Sequence, residues 1–295
     1  VAAAAETIRL PAERDSLGSR ILRVLTRGPL NIVLAVIGLL WLVPTVGLFI
    51  TSILPVSALA SGGWWQIFTH PSVATWSNYD HLFHNSGLMT ALKTTAYIAV
   101  GNTLLVVIVG AMAGYAFAWL DFPGRDWLFI AVIALLVVPL QMALIPMFRL
   151  YDTLGLFDTW YGIALFHTAF GLPFAIFLLR NFFIGLPRDI LESARIDGAS
   201  EIRIFVRLIL PLGLPAIASL AIFQFLWTWN DLLVALTFGQ NTTPITVWIS
   251  GQLREFGTSI DIIAPASFIS LVIPLAVFFA FQRYFVQGLL AGSVK

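Results

Sequence analysis

The chain has 295 residues, 59% of them hydrophobic and only 11% charged, with a formal net charge of +1 and no cysteine. A soluble domain is about 45–50% apolar and about 25% charged, so this composition excludes an ordinary water-soluble globule. It excludes a disordered chain for the same reason. The absence of cysteine excludes disulfides, thiolate metal sites and a cysteine nucleophile, and the near-neutral charge offers no footprint for nucleic acid. A polytopic membrane protein remains.

A membrane-spanning helix needs about 20 mainly apolar residues. Six runs meet that test, at 30–54, 89–120, 127–148, 160–179, 208–236 and 262–285. Pro44, Pro139, Pro173 and Pro274 lie inside them. Helices packed against neighbours in a bilayer tolerate such prolines. The fold expected is all-α, with six transmembrane helices. The "SALAS" at 57–61 resembles a signal-peptide cleavage site, but the apolar run before it is too long and starts too late for a secretory h-region. The first run is therefore expected to be a permanent span.

Basic residues orient the chain. Thirteen of the 16 Lys and Arg residues fall in the segment 1–29, in the loops after the second and fourth runs, and at the C-terminal end. Lys93, Arg149 and Arg254 fall on the other side. The positive-inside rule then puts both termini in the cytoplasm, with 1–29 as a cytoplasmic tail and 30–295 as the transmembrane domain. The external side carries two sizeable segments, 55–87 and 238–261. Trp64, Trp65, Trp76 and Tyr79 suit either a headgroup belt or a protein-docking surface.

The cytoplasmic loop after the fourth run reads "RNFFIGLPRDILESARIDGASEIRIFVRLILPLGLPA" (180–216). Pro187 signals a helix start, and Asp189 and Glu192 favour the positive end of its dipole. Ile190, Leu191, Ala194 and Ile196 supply an apolar side, and Gly198 is placed to stop the helix. Ser200 can cap a second helix, in which Ile202, Phe205, Val206 and Ile209 follow the i, i+3, i+4, i+7 rule. Two short helices around a glycine elbow make a knob. An amphipathic helix lying on anionic lipid is the competing reading. The small residues Ser193, Ala194 and Ala199 make a narrow ridge that suits a protein groove better than lipid.

The run Glu192, Ser193, Ala194 and Gly198, continued by Leu208, Ile209, Leu210 and Pro211, resembles the EAA motif of ABC importer membrane subunits. Ser193 replaces an alanine of the pattern and Leu208 an isoleucine. "WSNYDHLF", "AGYAFAWLDFPGR", "LWTWNDLLVAL" and "QRYFVQGLLAGSVK" are also similar to permease subunits of maltose-type carbohydrate importers. "PLQMALIPMFRLYDTLGL" resembles the α-glucoside branch of that family. The chain departs from the pattern at Lys93-Thr94-Thr95, where the family often has Asn-Ser or Asn-Thr.

The resemblance implies the type I ABC importer permease fold. It implies a heterodimer with a second permease subunit, two ATPase subunits and an extracytoplasmic sugar-binding protein, in the inner membrane lipid. It also implies that 180–208 is the coupling loop. Glu192, Ser193, Ala194, Asp197, Gly198 and Pro211 would meet the ATPase. The tail 286–295, with Gly288, Gly292 and Lys295, would make a second contact. Segment 238–261 resembles the region that reaches into the binding protein. The cargo expected is a di- or oligosaccharide or α-glucoside, of maltose, trehalose, sucrose or glucosylglycerol type. The chain carries no G-x-x-x-x-G-K-[ST] loop, so ATP and Mg²⁺ are expected on the partner ATPases and no cofactor on this chain.

Polar residues in spans are candidates for function, because burying them in lipid is costly. Asn102, Gln141, His167, Gln224, Asn230 and Asp231 qualify, with Phe223, Trp227 and Trp229 as aromatic faces for a sugar. Gln224, Trp227, Asn230 and Asp231 form the expected substrate path, against hydrogen bonding between helices worth about 0.6 kcal/mol each. Asp80, His81 and His84 have the spacing of a weak metal motif, and no metal site is expected from them. The sequon Asn241-Thr242-Thr243 matters only in a secretory eukaryotic setting. The alternative function is an ion-gradient-driven secondary transporter. Asp231 is the only acidic residue in or at a span, which argues against a carboxylate relay. An intramembrane enzyme would need a catalytic pair, and His167 shows no partner in the sequence.

Overall fold

The computed structural model describes the backbone at 17–256 and 259–293, and the side chains at 28–253 and 259–283. No strand occurs among the described residues. Four helices are long and apolar enough to cross a bilayer unbroken: α1 (Leu17–Ser52), α4 (Ser86–Trp119), α7 (Trp160–Ile184) and α14 (Ile260–Ser293). Short helices α2 (Val56–Gly62) and α3 (Ser77–Phe83) lie between α1 and α4. Helix α1 starts at Leu17, inside the segment read from the sequence as a tail.

The other two expected spans are bent. The third run divides into α5 (Arg125–Ala134), with its following turn to Val137, and α6 (Leu140–Thr153), which meet at 100°. Pro139 sits at the break with extended backbone. It supplies no N–H and pushes Val138 out of helical geometry, so the helix restarts in a new direction. The fifth run divides at Gly213. Helices α9 (Glu201–Ile204) and α10 (Leu210–Leu212), joined by a π-helical turn at Phe205–Ile209, meet α11 (Leu214–Trp229) at 75°. A Cβ on Gly213 would lie 2.6 Å from the Phe183 ring, so only glycine lets this bend pack against α7. Helices α8 (Arg188–Ile196), α12 (Leu233–Phe238) and α13 (Ile245–Phe256) complete the chain. Pro44, Pro173 and Pro274 lie inside unbroken helices, as expected.

The heart of the bundle is the contact of α4 with α7. A Cβ on Gly110 would stand 2.8 Å from the Ala175 methyl, and one on Gly114 would stand 3.0 Å from Leu179 Cβ. Small residues let the two backbones approach, which is how helices pack where lipid is as apolar as the side chains. One core cluster sits at the α8–α10 end of the bundle, around Tyr115, Leu179, Phe183, Leu191, Ile204 and Ile209. Another sits at the opposite end, around Tyr151, Phe166 and Phe238. Helix α1 is exposed along most of residues 30–45, an apolar surface suited to lipid. It touches α14 through Phe49 and Phe268, whose rings are 5.0 Å apart.

Candidate functional site

Three polar constructions stand out along the bundle. The first is the knob. Helix α8 follows Pro187, whose extended backbone sets the entry angle. Its end is a left-handed stop: Gly198 has φ +77°, and the N–H groups of Asp197, Gly198 and Ala199 bond back to Ser193, Arg195 and Ala194. The expected glycine elbow is present. Ser200 occupies the cap position of α9 with extended backbone, but its hydroxyl makes no capping bond.

The apolar faces of the knob differ from the heptad-like expectation. Leu191 is buried and Ala194 packs beside it, whereas Ile190 is exposed and Ile196 is 85% exposed. In the second helix Ile204 and Ile209 are buried, while Ile202 is 78% exposed and Val206 is exposed. The π turn adds a residue to the winding and rotates the buried face, which the straight-helix rule could not foresee. Ile190, Ile196, Ile202 and Val206 are therefore exposed apolar side chains of the knob. Glu192 is exposed as well, 56% by its side chain, and lies 3.6 Å from Arg188. Ser193 bonds its own helix at the Asp189 carbonyl, Asp197 ends α8, and Pro211 lies exposed in α10.

A clamp that sequence reasoning missed ties the knob to α4. Arg195 donates to Glu201 at 2.8 Å through Nε, and to the Trp119 carbonyl at 3.2 Å through Nη2. Tyr115 donates to the same carboxylate. Trp119 donates its indole N–H to the Phe183 carbonyl at 3.0 Å, joining the clamp to α7. Hydrogen bonding to Glu201 raises the Arg195 pKa above its already high value. The only sequence signal was Tyr115 and Trp119 at i, i+4 on the last turn of a span.

The second construction is a polar seam inside the bundle. Asn102, fully buried, donates to Thr228 at 2.6 Å and accepts from Thr168 at 3.1 Å. Thr95 accepts the Ile245 N–H at 2.7 Å, so the Lys93-Thr94-Thr95 departure still supplies a contact. His167 is not isolated, contrary to the sequence reading: its Nε2 lies 3.4 Å from Asp231 Oδ2, an ion-pair distance without hydrogen-bond alignment. Asp231 also accepts the N–H groups of Val234 and Ala235 and so caps α12. Trp227 lies edge-on to His167 with centroids 5.3 Å apart. Gln224 is buried against Gly171, and its Nε2 has no partner. The cavity between His167, Asp231, Thr95 and Thr228 measures about 10 Å³, room for no more than one water.

Of the four expected path residues, then, the structure gathers Trp227 and Asp231 around His167 and buries Gln224 nearby. Asn230 points elsewhere. It opens on a groove of about 520 Å³ that also carries Thr246, Ser250, Ser267 and Ser270. At the tail, α14 runs on through Gly288 and Gly292 to Ser293, and Lys295 lies outside the described residues. His84 bonds the Asp80 carbonyl, and no three His, Asp or Glu side chains are gathered as metal ligands among the described residues.

The third construction is at the end of the bundle opposite the knob. Asp158, between α6 and α7, accepts the backbone N–H groups of Gln240, Asn241 and Thr242, each at 2.8 Å. Backbone and side-chain hydrogen bonds hold its pKa down to about 2, against the opposing effect of burial.

Residues 106–290 match the family described as "Binding-protein-dependent transport system inner membrane component". The chain belongs to this family. It is thus an inner-membrane component of a transport system. The osmoprotective compounds uptake permease protein GgtD of Synechocystis is 48% identical over 90% of this chain and 92% of its own length. The α-glucoside transport system permease protein AglG of Rhizobium meliloti is 50% identical over 77% of this chain and 62% of its own length. The trehalose transport system permease protein SugB of Mycobacterium tuberculosis is 36% identical over 86% and 92%. Among solved structures, a bacterial ABC transporter that imports the acidic polysaccharide alginate superposes with a TM-score of 0.73, covering 92% of this chain and 98% of its own at 21% identity. That likeness shows a shared fold, the all-α architecture of ABC importer permeases.

Proposed function

We propose that this chain is a permease subunit of an ATP-driven importer for a di- or oligosaccharide or another α-glucoside, working by alternating access. The observation that carries the reading is the knob. Its exposed side chains include Ile196, Ile202 and the charged Glu192, its inner surface is built into the bundle core, and a four-residue clamp fastens it to α4. A monomer gains nothing by exposing Ile196 and Ile202 to water; a docked ATPase subunit would cover them. Named relatives that carry α-glucosides and trehalose support the cargo class.

In this reading two ATPase subunits bind this chain and a second permease subunit from the cytoplasm, and an extracytoplasmic sugar-binding protein docks on the other side. ATP and Mg²⁺ belong to the ATPases. Glu192 pairs with an ATPase cation. Ser193, Ala194 and Asp197 form the ridge around it, Gly198 sets the shape of the elbow, and Pro211 stiffens the link to the bend at Gly213. The tail with Gly288, Gly292 and Lys295 is the second ATPase contact. Closure of the ATPase pair moves the knob, and the clamp passes that motion to α4 and α7. Both termini lie on the cytoplasmic side. Asn230 and the hydroxyl-bearing groove beside it border the solute path; Gln224, Trp227 and Asp231 reach a solute only when the bundle opens. ATP binding supplies the bias between the two states.

The test is reconstitution of the chain with its neighbouring subunits in liposomes, with ATP hydrolysis measured with and without the binding protein and a panel of α-glucosides. Stimulation by one sugar together with its uptake is the expected result. Uptake driven by an ion gradient without ATP would overturn the reading and turn attention to His167 and Asp231.

A further inference from the structure

Between α1 and α4 the chain runs from Pro55 to Tyr79 without a lysine, arginine, aspartate or glutamate, and it carries three tryptophans there. Trp65, Phe68 and Trp76 are exposed, Phe68 by 72%. Helix α1 ends at Ser52, but the chain does not then move away from it. Gly63, at φ +85° and ψ −179°, holds a conformation open only to glycine and turns the chain back. The ring of Trp64 comes to rest against α1 at Gly47, where a Cβ would lie 3.5 Å from it. Gly47 precedes the end of α1 by about 7 Å along the helix axis. Trp64 in turn packs against Trp65 and Phe68, with ring centroids 6.1 and 6.2 Å away. This aromatic turn therefore lies beside the last stretch of a membrane-crossing helix and not above it. Interfacial segments bury apolar side chains about 5–10 Å into the boundary of headgroups and acyl chains, and tryptophan favours that level.

A second aromatic group is fastened across the end of α1. The last carbonyls of a helix have no partner within it. Here the buried Asn78 donates to those of Ser52 and Leu54 at 3.0 and 2.9 Å, and the Thr75 N–H donates to that of Ile53 at 2.7 Å. Tyr79 donates its hydroxyl to Ser52 at 2.7 Å, while Ser52 donates its own to the Phe49 carbonyl at 2.6 Å. The polar groups at the start of α3 are thus used up on α1. The rings of Trp76 and Tyr79, 5.5 Å apart, line a groove of about 280 Å³ together with Phe49 of α1 and Phe268, Val272 and Ile273 of α14. No charged side chain lines it. Two of its walls are membrane-crossing helices, and one of these, α1, already faces lipid along residues 30–45.

We propose that residues 56–83 are an interfacial segment laid into the leaflet on the side opposite the knob, and that the groove between α1, α3 and α14 holds an acyl chain of a phospholipid of that leaflet. The side follows from α4, which starts beside α3 and ends at Trp119 in the clamp of the knob. A protein partner would be met by hydrogen-bonding groups as well as apolar ones. The one side-chain polar group of the groove besides the Trp76 indole is the Tyr79 hydroxyl, and Ser52 already holds it. The groove also explains how α1 is kept on the bundle. Phe49 and Phe268, whose rings join α1 to α14, both line it, so the acyl chain supports that contact.

The experiment places the chain, with its neighbouring subunits, in liposomes containing a phosphatidylethanolamine that carries a photoreactive diazirine on one acyl chain. After illumination, labelled peptides are mapped by mass spectrometry. Label is expected on Phe268–Ile273 of α14 and on Trp76–Tyr79, in excess of that on residues 30–45 of α1. Val272→Trp fills the groove and should remove the excess. Equal label on the groove and on residues 30–45 would mean annular lipid only and overturns the acyl site. So does an unlabelled groove, the result expected if another subunit covers it, and so does an excess that Val272→Trp leaves intact. If that variant fails to assemble, the wild-type labelling pattern still decides. Depth is read separately. The chain has no cysteine, so Phe68→Cys, assembled with subunits freed of cysteine, takes a single nitroxide label. Its relaxation should respond more to oxygen, which enters hydrocarbon, than to a water-soluble nickel chelate. The reverse order would place the aromatic turn in water and overturn the interfacial segment.

Discussion

Gly198 offers the sharpest test of how the knob works. Its φ of +77° lies in the left-handed region, and a Cβ built on it meets nothing within 4 Å. Within this chain, a substitution there is therefore costly through backbone conformation and not through collision. That cost is about 1–2 kcal/mol for an ordinary side chain, less for asparagine and more for a β-branched residue. A cost of that size shifts the ratio of correctly to wrongly shaped elbow by a factor of about 5–30. It is too small to stop the bundle from folding. The expected order of sugar uptake is Gly, then Asn, then Ala, then Val, with equal amounts of each variant in the membrane. Uptake per milligram of reconstituted protein, beside ATP hydrolysis in the same vesicles, reads this out. Full uptake by Gly198→Val would refute the conformational argument. Equal loss in the Asn and Ala variants would show a different cause: the open space at Gly198 would be filled by the partner, and sterics at that interface would set the effect.

Three further outcomes follow from the same geometry. Within this chain Glu192→Ala removes only an exposed pair with Arg188, so the melting temperature of the chain purified without its partners should hardly move, since such pairs contribute about 0–1 kcal/mol; uptake by the assembled transporter should nevertheless be lost, and normal uptake would show that Glu192 is not an anchor. Glu201→Gln weakens the clamp between Arg195 and Tyr115, and vesicle assays should show hydrolysis that persists while uptake falls; parallel loss of both would mean that the clamp is merely structural. The depressed pKa of Asp158, about 2, is stabilising above the unfolded carboxyl pKa of about 3.9 and is lost as pH falls through 2. The melting gap between wild type and Asp158→Ala should accordingly be constant from pH 7 to pH 5 and shrink below pH 4, and a gap that widened in acid would contradict the assigned bonds.

Much of this protein follows from sequence alone, because the bilayer imposes simple demands. A hydrocarbon slab about 30 Å thick needs apolar runs of fixed length, so all six regions were visible as strings of residues. The knob was visible too, since Pro187 and Gly198 are local signals whose effect depends on their own backbone. Pro139 and Pro173 show where that legibility ends. Both are prolines within apolar runs, yet α7 continues through Pro173 while the third run turns by 100° at Pro139. The presence of a proline therefore does not by itself say whether a span bends. The same holds for the inner face of α9, which the π turn at Phe205–Ile209 rotates to bury Ile204 in place of Ile202.

Pairings between distant residues were beyond the sequence for a different reason. Arg195 with Trp119, His167 with Asp231, and Asp158 with the turn at 240–242 each join residues that share no spacing rule. Residue type announced that Asp231 and His167 needed partners, because an isolated polar group in a membrane is costly, but not which partners. Sequence determined which segments enter the membrane and where a knob must protrude, since those depend on hydrophobic length and local backbone preference. Only the tertiary structure decided which polar groups meet, because helix packing brings together segments that no spacing rule connects, as the close packing of α4 on α7 does for Asn102 and Thr168.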